Sequence, residues 1–324
     1  MMDKPIIKKW KCAGGQVTGL GHEKFNIPGQ DRVAIRENGL IKSIALADGA
    51  GSRKKSQIGA EYITNSICDI SSVKFNTFYS YSKKRITRRY KNIILNSLKD
   101  ASKMHSIRID EMSSTLLFVV TDGIKYIAGH IGDGIIATIE NDKIVMLSEP
   151  ENQEFANVTY FTTSPNLEKH LRIYRGYLKS KTGFILMSDG AADGLFLKAT
   201  NTFSNVILQI NDWLKEYSSD VVSKAIVSNL NSTIRRKTQD DCSLIIISEV
   251  KENINLLSKK NISYLRDCLN MTRRDAILKR VKIIKYLLNN ESKKGNITSE
   301  VGLTEKTVAK HMKEIKNTII TGDN

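Results

Sequence analysis

Residues 31–51, DRVAIRENGLIKSIALADGAG, decide the fold class. Asp31 to Ala47 reads as two strands joined at Asn38-Gly39, because an Asn-Gly pair between apolar runs supplies the positive φ angles of a tight hairpin turn. The second strand ends at Asp48 in a glycine-rich turn. Downstream, residues 57–70 have helical apolar spacing. A second helix fits Tyr90–His105, with Ile93, Ile94, Leu98, Ala101 and Met104 turned inward. Thr115–Leu147 reads as a β-meander of TLLFVVT, KYIAGHIG, GIIATIE and KIVMLS, punctuated by Asp122-Gly123, Asp133-Gly134 and Asn141-Asp142. Residues 150–182 are polar and give no clear period. Gly183–Met187 is a short apolar strand that runs into Ser188-Asp189-Gly190. Helices are expected over 203–217 and 219–235, and Leu244–Ile247 is one more buried strand. Antiparallel hairpins with helices grouped between them predict an α+β layered domain rather than a βαβ repeat.

Composition sets the outer limits. A chain of 324 residues, 40% hydrophobic and 26% charged, is long enough for two globular domains and too apolar for disorder. No apolar run approaches the ~20 residues that span a bilayer. The opening MMDKPIIKKWKCAGG lacks the apolar stretch of a signal peptide. Cys12, Cys68, Cys242 and Cys268 show no CxxC pair, as expected for reduced thiols in a cytoplasmic protein without a membrane partner. The net charge of +16 is unevenly placed. Residues 251–324 carry sixteen Lys/Arg against eight Asp/Glu, and Lys83–Lys103 carries eight basic residues against one acid. Either region could face a polyanion, and either could be a solvated surface. Strand signals stop past Glu249, and residues 253–320 read as helices throughout. The expected domains are therefore 1–252 and 253–324.

Four aspartates stand at ends of expected strands: Asp31, Asp48, Asp189 and Asp240. Carboxylates that converge at a sheet edge repel one another unless a cation neutralises them. All-oxygen ligation suits Mg²⁺ or Mn²⁺, and no His/Cys spacing for zinc is present. Taken singly, an Asp-Gly after a strand is usually a turn, and Asp122-Gly123 reads as one.

In order along the chain, Gln30-Asp31, Ala47-Asp48-Gly49-Ala50-Gly51-Ser52, Ser113-Ser114-Thr115-Leu116, Gly132-Asp133-Gly134, Ser188-Asp189-Gly190 and Asp240-Asp241-Cys242-Ser243 resemble the motifs of the metal-dependent, 2C-type protein phosphatases. The likeness spans about residues 14–248, and GHEKFNIPGQD is similar to the opening of a bacterial-like branch of that family. The resemblance implies an αββα four-layer sandwich, two antiparallel sheets flanked by helices, with two Mn²⁺ or Mg²⁺ ions at one end. It implies that Asp48 is shared by both ions and that the Gly49 carbonyl binds one. Asp189 and Asp240 would complete one shell, with Asp31 at or near the other through water. Asp133 matches a position that, with Asp189, holds a weaker third metal; its other reading is a hairpin residue. The implied activity is hydrolysis of phosphoserine or phosphothreonine on a protein by a metal-activated water.

Three positions depart from the family pattern. No arginine precedes Asp31, Gln30 stands where an acid is common, and the Asp-Gly-His-Gly form is Asp-Gly-Ala-Gly here. His22 is the candidate catalytic residue for phosphate contact or proton transfer, and its alternative is a structural role. Arg32 and Arg53 are further phosphate-binding candidates or plain surface residues. These departures keep open a catalytically weak pseudophosphatase that recognises a phosphoprotein without turnover.

The basic tail has its own pattern. In TRRDAILKRVKIIKYLLNN (272–290), Ile277, Val281, Ile284, Leu287 and Leu288 share a helical face. Ile297, Val301, Leu303, Val308, Met312 and Ile315 follow with helix-turn-helix spacing around Gly302, and Thr304 can cap the second helix. The run TVAKHMKEI looks like recognition helices of LuxR-type DNA-binding domains. If the tail binds DNA, Thr304, Lys306, Thr307 and Lys310 face the major groove, with Lys313 and Lys316 near phosphates. The other reading is a small helical bundle that docks a protein.

Overall fold

The computed structural model describes residues 6–151, 159–253, 262–269, 271–288, 294–316 and 319–320. The chain divides into two compact units, one of Cys12–Trp213 and Asp220–Ser248, the other of Met1–Lys11, Leu214–Ser219 and Glu249–Asn324. In chain order the elements are β1 (Ile6–Val17), α1 (Leu20–Lys24), β2 (Arg32–Asn38), β3 (Ile41–Ala47), α2 (Ser56–Tyr79), α3 (Lys83–His105), β4 (Leu116–Thr121) and β5 (Lys125–Ile131). Then come β6 (Ile135–Glu140), β7 (Lys143–Ser148), α4 (Leu167–His170), β8 (Arg172–Tyr177), β9 (Lys181–Met187), α5 (Asp189–Leu195), β10 (Phe196–Leu197), β11 (Thr202–Phe203), α6 (Val206–Glu216), α7 (Ser219–Ser232) and β12 (Cys242–Asn253). The tail adds α8 (Ile262–Leu269), α9 (Arg274–Leu288), α10 (Lys294–Val301), α11 (Glu305–Lys316) and β13 (Ile319–Ile320).

The larger unit is a four-layer sandwich. One sheet runs β2-β3-β4-β5-β8, each neighbouring pair antiparallel. The second runs β1-β12-β9-β6-β7. The two meet face to face, with Tyr126 of β5 against Phe184 of β9 at 5.0 Å between ring centroids. Every residue of β4 is buried. Leu116, Phe118 and Val120 join the core under α2 and α3, so the alternate residues Leu117 and Val119 face the other sheet. That double burial is why TLLFVVT is apolar without interruption. On the far side, Gly14 of β1 donates its N–H to Ser223 of α7, and Asn211 of α6 bonds Ser248 of β12.

Several expectations change. The hairpin closes on the pair Asn38↔Ile41, so the turn residues are Gly39-Leu40, and the positive φ (60°) falls on Gly39. Both helices of the first layer are longer than expected, and α3 is capped by Ser82, whose hydroxyl accepts the Arg85 N–H. Ile93, Ile94, Leu98 and Ala101 are buried, but Met104 is 74% exposed. The meander is not one sheet. β4-β5 belong to the first sheet and β6-β7 to the second, and the chain crosses between them at Gly132-Asp133-Gly134. Gly132 adopts φ +104°, and a Cβ there would lie 2.6 Å from the Thr115 side chain, so only glycine makes this crossing without strain. Asp122 behaves as the turn residue expected, its carboxylate accepting the N–H groups of Ile124 and Lys125.

In the smaller unit, α8–α11 pack around Leu265, Ile277, Val281, Ile283, Ile284, Ile297, Val301 and Val308, with Leu303 and Met312 against them. Gly302 has φ +59° between α10 and α11, and Thr304 Oγ1 accepts the Thr307 N–H at the start of α11. The side chains of Leu287, Leu288, Ile315 and Lys316 lie outside the described residues. The tail is not helical throughout, since Ile319 and Ile320 pair antiparallel with Ile7 and Ile6. Lys11 is 1% exposed, and its ammonium donates to the Leu214 and Tyr217 carbonyls at the end of α6. A cation there complements the negative end of the helix. Among the described residues, no helix is long and apolar enough to cross a membrane.

Candidate metal centre

Each acidic side chain is placed by the end of a regular element. Asp48 follows β3, Asp133 sits in the crossing from β5 to β6, and Asp189 is the first residue of α5 directly after β9. Single carboxylate oxygens of these three lie within 4.8 Å of one another. Asp133 thus lies beside Asp48 and Asp189 as well as at the crossing, and Thr159 Oγ1 donates to its Oδ2 at 2.5 Å. Asp31 precedes β2 and is 1% exposed. Both of its carboxylate oxygens are buried without a hydrogen-bond partner. Asp240 is the exposed member at the rim of this group, close enough for its charge to act on Asp48 and Asp189, and its Oδ1 accepts the Asp241 N–H at 2.8 Å.

The electrostatics show what this proximity costs. Burial pushes the Asp31 carboxyl up to about 8, with the charges of Asp241 and Asp189 adding to it. Burial likewise holds Asp48 well above the usual carboxylate range, helped by Asp31, Asp189 and Asp240. Asp189 is pushed up to about 6 by burial and by Asp133. Asp240 is raised too, by partial burial first. Buried carboxylates crowd together at such cost only where something pays for them, and a divalent cation does so directly. An all-oxygen donor set with a partnerless buried carboxylate fits Mg²⁺ or Mn²⁺. Gly49 bridges to Ser114 beside this cluster.

Asp241, to which sequence pattern assigns no role, is a hydrogen-bonding hub in the fold. Asp241 is 2% exposed, and its carboxylate accepts N–H groups from Gly19 at 2.6 Å, Asp31 at 3.3 Å and Gln30, while Oδ1 lies 2.9 Å from His22 Nδ1. Its signal in the sequence was the doubled Asp240-Asp241 itself, since the second of two acids before a buried strand must point away from the first. His22 thus sits beside the cluster on the short helix α1. The arginines are committed elsewhere. Arg32 bonds the Gly29 and Asp31 carbonyls and approaches Glu61 at 3.6 Å, and Arg53 lies 3.8 Å from Glu111. Gln30 Nε2 donates to the Arg53 carbonyl, so the residue in the usual acidic position is a loop tether.

In the helical unit, Lys306, Lys310 and Lys313 are exposed on α11 at spacings of four and three, which is one face of a helix. Thr304 is exposed with its hydroxyl used in capping, and Thr307 is half-buried, 2.9 Å from it.

The family model described as Protein phosphatase 2C matches residues 18–240. No curated protein sequence matches the chain. Among solved structures, a bacterial serine phosphatase is similar with a TM-score of 0.53 at 14% identity, over 73% of this chain and 96% of that one. The serine/threonine phosphatase Stp1 from Staphylococcus aureus gives 0.50 at 13%, over 76% and 95%. The catalytic domain of the serine/threonine phosphatase PstP, solved with two manganese ions, gives 0.50 at 12%, over 76% and 99%. At such identities these likenesses speak for the fold. The family match spans well over half of the chain and covers the elements that carry all five clustered aspartates, and the chain belongs to the protein phosphatase 2C family.

Proposed function

We propose that this chain is a metal-dependent protein serine/threonine phosphatase that hydrolyses phosphoserine and phosphothreonine with a pair of Mn²⁺ or Mg²⁺ ions. The buried, partnerless carboxylate of Asp31 beside the converging Asp48, Asp133 and Asp189 carries this reading. Asp48 would be shared by both ions, the Gly49 carbonyl and Asp31 would serve one side, and Asp189 and Asp240 the other. Asp133 with Asp189 would hold a weaker third ion. Bound ions would supply an activated water and neutralise charge on the phosphoryl oxygens. His22 would contact the phosphate or hand a proton to the leaving serine or threonine oxygen. The test is Mn²⁺-dependent hydrolysis of p-nitrophenyl phosphate and of a phosphothreonine peptide. Full activity in an Asp48→Ala/Asp189→Ala double variant sinks the proposal.

The commitment of Arg32 to its own loop favours one rival, a pseudophosphatase that binds a phosphoprotein without turnover. Tight Mn²⁺ binding in calorimetry, with no hydrolysis of either substrate, would select it. For residues 253–324 we propose a LuxR-like DNA-binding domain following a phosphatase domain of residues 1–252, with Thr304, Lys306, Thr307, Lys310 and Lys313 toward the nucleic acid. The exposed lysine stripe on α11 supports this. A bundle that docks a protein is the alternative, and retention of DNA fragments by the full chain in a mobility-shift assay separates the two.

A further inference from the structure

We infer that Asp241 is a positioning residue that sets both the imidazole of His22 and the main chain of Asp31. This role deepens the phosphatase reading and rests on it for its kinetic consequence. The segment from Gly19 to Asp31 has little apolar packing to place it. Helix α1 contains no buried residue, Phe25 is 69% exposed and Ile27 is 42% exposed. Its placement must come from polar contacts. On its outer side, Arg235 donates to the Thr18 carbonyl at 3.0 Å and to Glu23 at 2.5 Å, and the Gly21 N–H bonds the Gln239 carbonyl at 2.9 Å. On its inner side, one buried carboxylate holds both ends. Asp241 Oδ1 takes Gly19 N–H and faces His22 Nδ1, and Oδ2 takes the N–H groups of Gln30 and Asp31. The main chain at Gly19 passes so close that a Cβ there would fall 2.4 Å from the Asp240 carbonyl oxygen.

The chemistry of this hub fixes more than position. Three of its four partners are main-chain N–H groups, which only donate, and an ionised carboxylate only accepts. Each oxygen is already approached by two nitrogens, so the proton in the His22 contact sits on Nδ1. That leaves Nε2 as the ring atom free to accept or pass a proton. The same carboxylate holds the peptide N–H of Asp31, whose side chain is the partnerless one. One residue therefore links the orientation of the candidate proton donor to that of a candidate metal ligand.

The test uses the full chain, with Asp241→Asn and His22→Gln. Imidazole ¹⁵N NMR of the wild type, with the His22 signals assigned by their loss in His22→Gln, should show a protonated Nδ1. A bare Nδ1 with the proton on Nε2 overturns the inference, and this spectrum needs neither activity nor a folded Asp241→Asn protein. Asp241→Asn should shift the His22 ring signals, raise the Mn²⁺ Kd measured by calorimetry by roughly 10-fold or more, as loss of a partner behind a ligand does, and lower kcat more than it changes KM. His22→Gln should lower kcat and leave Mn²⁺ affinity within about twofold, because Asp241 still holds Asp31. An Asp241→Asn protein with unchanged ring signals and unchanged Mn²⁺ affinity overturns the assignment. If the wild type hydrolyses nothing, the phosphatase reading fails, while the tautomer and Mn²⁺ measurements still decide the role of Asp241.

Discussion

Asp31 gives the sharpest residue-scale consequence. Its carboxyl is pushed from 3.8 up to about 8 by burial, so the folded chain binds a proton there that the unfolded chain has lost. Stability must therefore fall as pH rises between those two values. Asp189, pushed up to about 6, adds to the lower part of that window. In EDTA, the melting temperature should drop from pH 5 to pH 8. Mn²⁺ should remove most of that drop, because a ligand that binds only the folded state stabilises it. Asp31→Asn should flatten the metal-free profile. A metal-free melting temperature that holds level across this range would contradict the picture. At this scale the sequence shows the identity of all five acids. It did not show that Asp133 would join Asp48 and Asp189 in the tightest group, or that Arg32 would turn back onto its own loop.

At the scale of elements, the crossing at Gly132 and the inner face of α3 matter most. Gly132→Val puts a β-branched residue at φ +104° with the Thr115 side chain in its way. It should cost roughly 1–3 kcal/mol in urea unfolding and weaken Mn²⁺ binding, since Asp133 is the next residue. On α3, Leu98→Ala should cost ~2–5 kcal/mol because Leu98 is fully buried, whereas Met104→Ala should fall within about 0.5 kcal/mol of wild type. Equal losses at the two positions would mean the helix packs differently. Helical spacing alone puts Met104 on the inner stripe, and only the packing of the folded chain leaves it exposed. Strand β8 was invisible for a related reason. RIYRGY carries two arginines and buries only Ile173 well, which suits an edge strand and leaves a weak alternating pattern.

At the scale of the whole molecule, charge is divided between the two units. The acidic cluster belongs to the sandwich, and the lysine face of α11 belongs to the helical unit. If that face meets DNA, the affinity should fall steeply with salt. Replacing Lys306, Lys310 and Lys313 together with alanine should weaken binding and make the log–log salt slope shallower by about 0.9 or more, the share of the phosphate contact assigned to Lys313. Mn²⁺-dependent hydrolysis of p-nitrophenyl phosphate should be unchanged in the same variant. Binding with no salt dependence in the wild type would remove the nucleic-acid reading of this unit.

The sequence by itself determined the fold class, the strand-end aspartates and most of the tail's core, from Ile277 to Met312. Those features follow from local periodicity, turn chemistry and the order of short motifs, which are written in neighbouring residues. Tertiary structure alone decided which sheet each hairpin joins, that Ile319-Ile320 pairs with β1, and that Asp241 gathers Gly19, His22, Gln30 and Asp31 around one carboxylate. The pairing of Ile319-Ile320 and the contacts of Asp241 join residues more than two hundred positions apart, the hairpins pair with strands from other stretches of the chain, and no local pattern encodes such partners.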